Sequence, residues 1–391
     1  MSGTWDPRFE RVHSVFAEHF ESGVEVGASF AVVQHGRTVV DLWDGHTDRA
    51  RTKPWRSDTL VNVFSTTKGI VAILMALLVQ EGRLDYDAPV ARYWPEFGGY
   101  GKESVTVAMV LSHRAGLCAV EPPLRTEDLF DWDKMVGILE RTTPLWEPGK
   151  KTGYHARTYG FLAGELIRRV TGRSAGQFLR ERFAEDIYIG VPAEENARVA
   201  DIVGPEALVP DTALEDQMGP VLAGMMGLDV LSGSQEAPPP HVLAMMEKVF
   251  TNPVNPPESA NLPGWRAAEI PSSNGHATAL ALARIYSAVV DGGLLDPETL
   301  RAATLVEGEP FDDVLGFPVR YGRGFTMNGG EFGPEPRAFG HRGIGGSFAY
   351  ADPVAGLGVG YAMNQWIPKF GDNPGNDPRA DRLVEALYRS L

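Results

Sequence analysis

The segment from Ser65 to Gln80 constrains this chain more than any other. Ile70, Val71, Ile73, Leu74, Leu77 and Leu78 make it apolar nearly all round, and Val61, Val63 and Phe64 lead into it. A helix of that pattern has no face suited to water, so it must be buried within the fold. Lys68 stands one turn inside it. A lysine buried there is costly unless it is paired or used. Ser65 precedes it by three residues, which puts both side chains on one helix face with about 5–6 Å between their Cβ atoms. The ammonium can therefore reach the hydroxyl. Ser-x-x-Lys alone is a weak signal, because serines and lysines at this spacing are common on solvated helix faces. The apolar setting is what raises it.

Covering such a helix takes a large core. The chain has 391 residues, 43% apolar and 22% charged, enough for two subdomains of a soluble globular protein. It opens with Phe9, Val12, Phe16 and Phe20 at helical spacing, broken near Gly23. Residues 28–34 and 38–43 read as strands joined across His35-Gly36-Arg37 into an antiparallel hairpin. A turn with aspartates at capping positions is expected over 84–89, and helices over 106–112, 132–141, 158–171 and 174–183. Gly172 is placed to close one of these helices, and Ser174 with Gln177 to form a capping box on the next. From 204 to 275 the chain is rich in proline and methionine, so long loops with two short helices are expected. Met218, Met225, Met226, Met245 and Met246 read there as gap-filling core, the alternative being an adaptable lining for an apolar pocket. A helix follows over 277–290, then β-like segments at 324–327, 347–352 and 357–363, and a closing helix over 379–387.

Strands near both ends and helices between them give an α+β fold. It is expected to hold one central antiparallel sheet built from both chain ends, flanked by helices. A sheet-bearing subdomain comprises 1–84 with 277–391, and 85–276 forms a mainly helical insert with long loops. The active site is expected in the cleft between them.

Thirty-six basic residues face 51 acidic ones, and the net charge of −15 argues against nucleic acid or an anionic membrane as a partner. Cys118, the single cysteine, excludes an intrachain disulfide and a multi-cysteine metal site, and reads as a small buried hydrophobe. The first residues have no basic or apolar leader pattern and no run nears 18 apolar residues, so the expected location is the cytoplasm.

Three stretches carry the chemistry. A serine hydroxyl is a poor nucleophile until a base takes its proton, and an amine serves only when it is neutral part of the time. Burial and the positive end of the helix dipole both lower the pKa of Lys68. The same helix N-terminus aims the Ser65 amide at an incoming carbonyl oxygen. The second stretch, Gly153-Tyr154-His155-Ala156-Arg157, sits just ahead of a helix. Tyr154 there either points its phenol into a cleft beside the lysine or is a core aromatic with a satisfied hydroxyl. His155 is a competing general base that nothing local orients. The third, residues 339–347, is a glycine-rich run before a strand. It lets an edge strand approach a substrate closely and offers the Ile344 amide as a second oxyanion donor.

Competing signatures fail. Gly345-Gly346-Ser347-Phe348-Ala349 misses Gly-x-Ser-x-Gly at its last position, and none of the nine histidines forms His-Glu-x-x-His. The glycines at 356, 358 and 360 lead into a strand rather than a helix, which favours a structural reading over a nucleotide loop.

The order Ser65-x-x-Lys68, Tyr154-x-Ala156, His341-Arg342-Gly343 resembles the serine β-lactamase and penicillin-binding-protein superfamily, whose signatures are Ser-x-x-Lys, Tyr-x-Asn or Ser-Asp-Asn, and Lys-Thr-Gly. More closely it resembles the family VIII carboxylesterases, which are similar to class C β-lactamases. The likeness extends to the stretch from Leu111 to Leu117, to Glu147-Pro148-Gly149, to the stretch from Tyr159 to Glu165, and to Asp352-Pro353. It implies a β-lactamase-like fold and a serine carboxylesterase acting on small, short-chain esters without metal or cofactor, with acyl transfer to alcohols as a side reaction. Ser65 would be the acylated nucleophile and Lys68 with Tyr154 the proton-transfer pair, with the choice of base left open. The amides of Ser65 and Ile344 would form the oxyanion hole, and Ala156, His341, Arg342 and Gly343 would meet substrate. Ala156 replaces the motif's asparagine and His341 its lysine, with Arg342 a partial substitute for the lost cation. Both changes weaken recognition of anionic amides and suit neutral esters. A β-lactamase or D-alanyl-D-alanine peptidase is the alternative within enzymes, a catalytically silent ligand-binding protein the one outside them. Homo-oligomerisation is left open.

Overall fold

The hairpin at His35-Gly36 sits at the heart of the main sheet. A computed structural model describes residues 1–204, 239–367 and 377–391. In it β2 (Gly27–Gln34) pairs with β3 (Arg37–Gly45) across a two-residue turn whose residues both take positive φ, 48° at His35 and 72° at Gly36. That left-handed pair matches the twist of the flanking strands. β1 (Ser2–Trp5), not anticipated from the sequence, lies along the outer side of β3. The other side of β2 takes strands from the far end of the chain: β11 (Leu357–Met363), β10 (Phe348–Asp352), β9 (Phe339–Arg342), β8 (Thr326–Met327) and β7 (Arg320–Tyr321). The result is one eight-stranded antiparallel sheet in the order β1-β3-β2-β11-β10-β9-β8-β7, built from both chain ends as expected.

Period-two alternation divides the core. Ala28, Phe30 and Val32 face the helices Glu10–Glu21 and Pro378–Tyr388, meeting Phe9, Val12, Phe16, Leu383 and Leu387. Ala31 and Val33 face the opposite way, into a core shared with the Thr66–Gln80 and Ala279–Val290 helices. Ala279–Val290 lies directly on β11. A Cβ on Gly358 would come within 2.1 Å of the Ala283 carbonyl oxygen, and one on Gly360 within 2.3 Å of the Ala279 carbonyl oxygen. The glycine run there is thus a helix-on-strand packing device. Gly358→Ala is expected to cost about 1–3 kcal/mol or more, because backbone on both sides must yield. A denaturant titration of the variant against wild type checks this.

The Thr66–Gln80 helix is buried from Thr66 to Leu78. It packs between β9 and the helices Thr158–Thr171 and Pro297–Ala303, so its all-round apolar pattern is used. Leu162, Leu166 and Phe178 join the core on its far side. Helices Trp132–Arg141 and Thr158–Thr171 occur where the pattern put them. Gly172 closes the second at φ 72°, and Ser174 with Gln177 makes the capping box opening Ala175–Arg182.

Three expectations need correction. A second sheet of β4 (Val61–Asn62), β6 (Gly275–Ala277) and β5 (Ile187–Ile189) was not anticipated, since strands of two or three residues carry too little pattern. β6 also takes the start of the helix expected from 277, which begins at Ala279 behind the N-cap Thr278. Residues 339–342, read as part of a glycine-rich run before an edge strand, themselves form β9, and β8 pairs with Phe339 and Gly340, so only the end of that strand is an edge.

Cys118 is buried and unpaired, its thiol pushed up to about 12 mainly by burial. Met246 is buried in a small cluster with Val242 and Phe250, while Met218, Met225 and Met226 lie outside the described residues. No described helix is long and apolar enough to cross a membrane.

Candidate active site

Ser65 is presented by a tight turn between β4 and the central helix. Phe64, just before it, adopts φ 45°, a left-handed conformation unusual for a bulky residue and costing of order 1–3 kcal/mol. The Thr66 and Thr67 amides close the turn by donating to the carbonyls of Val63 and Phe64 at 3.1 and 3.0 Å. Ser65 sits at the N-cap, yet its side chain caps nothing. Its Oγ turns instead toward Lys68 and Tyr154.

Lys68 is fully buried. Its Nζ lies 2.8 Å from the Ala156 carbonyl oxygen, 2.9 Å from that of Ser272 and 3.2 Å from Ser65 Oγ. Burial, and secondarily the Arg157 guanidinium, hold its pKa well below the usual lysine value. A neutral amine has two N–H donors and one lone pair. The two carbonyls take the donors, which leaves the lone pair for the serine proton. Tyr154 donates its hydroxyl to Ser65 Oγ at 2.9 Å, and burial raises the pKa of the phenol, so it stays protonated. The serine oxygen therefore sits between a group suited to take a proton and one suited to give it.

Tyr154 is itself held. The buried Asp312 carboxylate accepts from the Tyr154 amide at 3.1 Å, from the amides of Val314 and Leu315, and from the Tyr321 hydroxyl. The His113 ring packs 4.9 Å from the Tyr154 ring. Neither Asp312 nor His113 was singled out as a positioning group from the sequence. His155 is no competing base. Its Nδ1 donates to the Gly153 carbonyl at 2.7 Å, its Nε2 accepts from the Leu117 amide at 3.0 Å, and burial pushes it down to about 4. It is a neutral strut for the turn.

The β9–β10 turn is tied to the Ser65 turn. Ser347 Oγ donates to the Val63 carbonyl at 2.8 Å and lies 3.1 Å from Thr66 Oγ1. A Cβ on Gly343 would lie 2.3 Å from both Ser347 Oγ and the Val63 carbonyl oxygen, so only glycine fits. Ile344 lines the same cavity as Ser65. Among the described residues, neither the Ser65 nor the Ile344 amide donates to another group.

His341 and Arg342 are neighbours on β9 and both line the cavity, with different partners. His341 is buried beside Lys68 and pushed down to about 3, chiefly by burial, so it brings no cation. With Nδ1 on the Arg342 carbonyl, its buried Nε2 has no hydrogen-bond partner among the described residues. Arg342 is bound to the Glu331 carbonyl and, at 3.1 Å, to Asp381. Arg342, expected as a partial substitute for the missing lysine, lines the cavity with its guanidinium engaged by these two groups. Ala156 contributes its carbonyl to Lys68 and a methyl to the cavity wall, a backbone role that residue type does not announce.

The cavity over Ser65 is about 790 Å³, with Phe64, Met246, Phe250, Trp265 and Trp366 among its apolar walls. Met246 thus serves both as packing and as lining. Fold and site together define a serine hydrolase. The chain belongs to the Beta-lactamase family, whose model matches residues 13–383. It is 34% identical over 381 residues to the esterase/β-lactamase LipL of Mycobacterium tuberculosis, a match covering 93% of this chain and 83% of that protein. It also superposes on a family VIII carboxylesterase with a TM-score of 0.85 and 40% identity, over 100% of this chain and 99% of that one. A penicillin-binding protein homolog from Caulobacter crescentus matches at 40% identity with a TM-score of 0.84 over the same shares. The likeness to family VIII carboxylesterases expected from the motifs is therefore borne out.

Proposed function

We propose that this chain is a serine carboxylesterase working through an acyl-enzyme on Ser65. The observation that carries the reading is the serine oxygen held at once by Lys68 Nζ and Tyr154 hydroxyl, 3.2 and 2.9 Å away. Lys68 takes the Ser65 proton as Oγ bonds to the ester carbonyl carbon. The amides of Ser65 and Ile344 receive the oxygen that becomes negative. Tyr154 gives its proton to the departing alkoxide, and the Lys68 ammonium restores it. Water then attacks the acyl-enzyme, releasing the acid and the serine; an alcohol in its place yields a new ester, the acyl-transfer side reaction. Ala156 and the neutral His341 favour esters over β-lactams or peptides at this site.

In this reading the cleft lies between a sheet-bearing part, 1–84 with 277–391, and a mainly helical part, 85–276. A cytoplasmic setting belongs to the same proposal. Kinetics on short-chain aryl esters beside nitrocefin test it. Higher kcat/KM for the esters is the expected result, and faster nitrocefin turnover would reverse the assignment.

A further inference from the structure

The wall of the cleft carries charge of the sign opposite to the chain as a whole. The net charge is −15, yet the residues lining the cavity over Ser65 include three arginines, Arg157, Arg320 and Arg342, and one carboxylate, Glu331. Arg342 is paired with Asp381, and Glu331 accepts from the Gly329 amide at 2.7 Å. Arg320 stands exposed on the edge strand β7. Arg157 is the unusual one. It is half-buried beside the apolar cluster of Val249, Phe250 and Met246 and occupies the N-cap of the Thr158–Thr171 helix, the end where a cation is least favoured. Among the described residues its guanidinium forms one hydrogen bond, Nη1 to the Val249 carbonyl at 3.0 Å, and no ion pair. Burial pushes it down to about 10, and among the described residues no neighbouring carboxylate offsets the shift. A cation kept in such a place, within the cavity of the reactive serine, is what a carboxylate-bearing ligand would compensate, because a guanidinium binds a carboxylate through two parallel hydrogen bonds.

We infer that Arg157 receives a free carboxylate carried by the substrate, so that the preferred esters are monoesters of dicarboxylic acids or esters with a comparable anionic group. This rests on the esterase reading above and narrows it. It also places a substrate-binding cation at Arg157, three residues after Tyr154, beside the one the sequence pointed to at Arg342. The competing role for Arg157 is purely structural, capping the last turn of the Pro240–Phe250 helix through Val249.

The test compares kcat/KM for the monomethyl and dimethyl esters of glutaric and adipic acid at pH 7.5, in wild type, Arg157→Gln and Arg157→Lys. The readout is the monoester-to-diester ratio, since loss of the Arg157 charge also acts on Lys68 and shifts turnover of every ester. The ratio is expected to favour the monoester in wild type, to fall about ten- to a hundredfold in Arg157→Gln, and to be partly retained in Arg157→Lys. An equal ratio in wild type and Arg157→Gln would overturn this inference alone and leave Arg157 as a helix cap. Turnover of neither ester by wild type would overturn the inference together with the esterase reading.

Discussion

Ser65→Ala is expected to lower kcat for esters by at least about 10⁴-fold, with KM changed far less. Among the described residues lining the cleft, no other serine hydroxyl is hydrogen-bonded to an amine. Ser273 also lines the cavity, and its Oγ is 3.1 Å from Ser272 Oγ. Tyr154 keeps its proton because burial raises its pKa. The fold should tolerate the change, because the Ser65 side chain caps no helix amide and the turn is closed by backbone bonds from Thr66 and Thr67. Steady-state kinetics beside thermal unfolding separate the two effects. A folded variant that retained wild-type turnover would remove Ser65 from the mechanism.

Lys68→Met is expected to lower kcat/KM by about 10²–10⁴-fold, the contribution of a positioned general base. The pH dependence follows from the same residue. Burial first, and Arg157 second, lower the Lys68 pKa, so the amine becomes neutral at a pH below the ordinary lysine range. The active form is the deprotonated one. Wild-type kcat/KM should therefore fall with unit slope as pH drops through the lowered pKa, and the residual activity of Lys68→Met should lack that limb. Neutral His155 and His341, pushed down to about 4 and 3 mainly by burial, lie too low to supply a limb near neutrality. Identical profiles in the two proteins would assign the base elsewhere.

The parts of this architecture with local signals were legible in the amino-acid sequence. The helix after Ser65 announced itself because every face is apolar, and the β2–β3 hairpin because a short polar connection with glycine separates two β-branched runs. Gly172 and Ser174-x-x-Gln177 marked helix ends through chemistry confined to a few residues. The site was legible where motifs carry side-chain chemistry, at Ser65, Lys68 and Tyr154. It was illegible where backbone or distant residues do the holding. The carbonyls of Ala156 and Ser272 orient Lys68, and a carbonyl has no residue signature. Asp312 is 158 positions from the Tyr154 amide it holds, and no period links them. The left-handed Phe64 gave no sign, since phenylalanine is among the residues least expected there. The partners of Arg342 were equally hidden, since its motif position says nothing of Glu331 and Asp381, which lie 11 and 39 positions away.

The proposed mechanism requires one covalent bond, between Ser65 Oγ and the acyl carbon. Brief incubation with a chromogenic alkyl phosphonate ester, followed by proteolysis and tandem mass spectrometry, tests it most directly. A single phosphonyl adduct on Ser65, absent from Ser65→Ala and strongly slowed in Lys68→Met, is the predicted result. An adduct on any other residue, or inactivation without modification of Ser65, would contradict it.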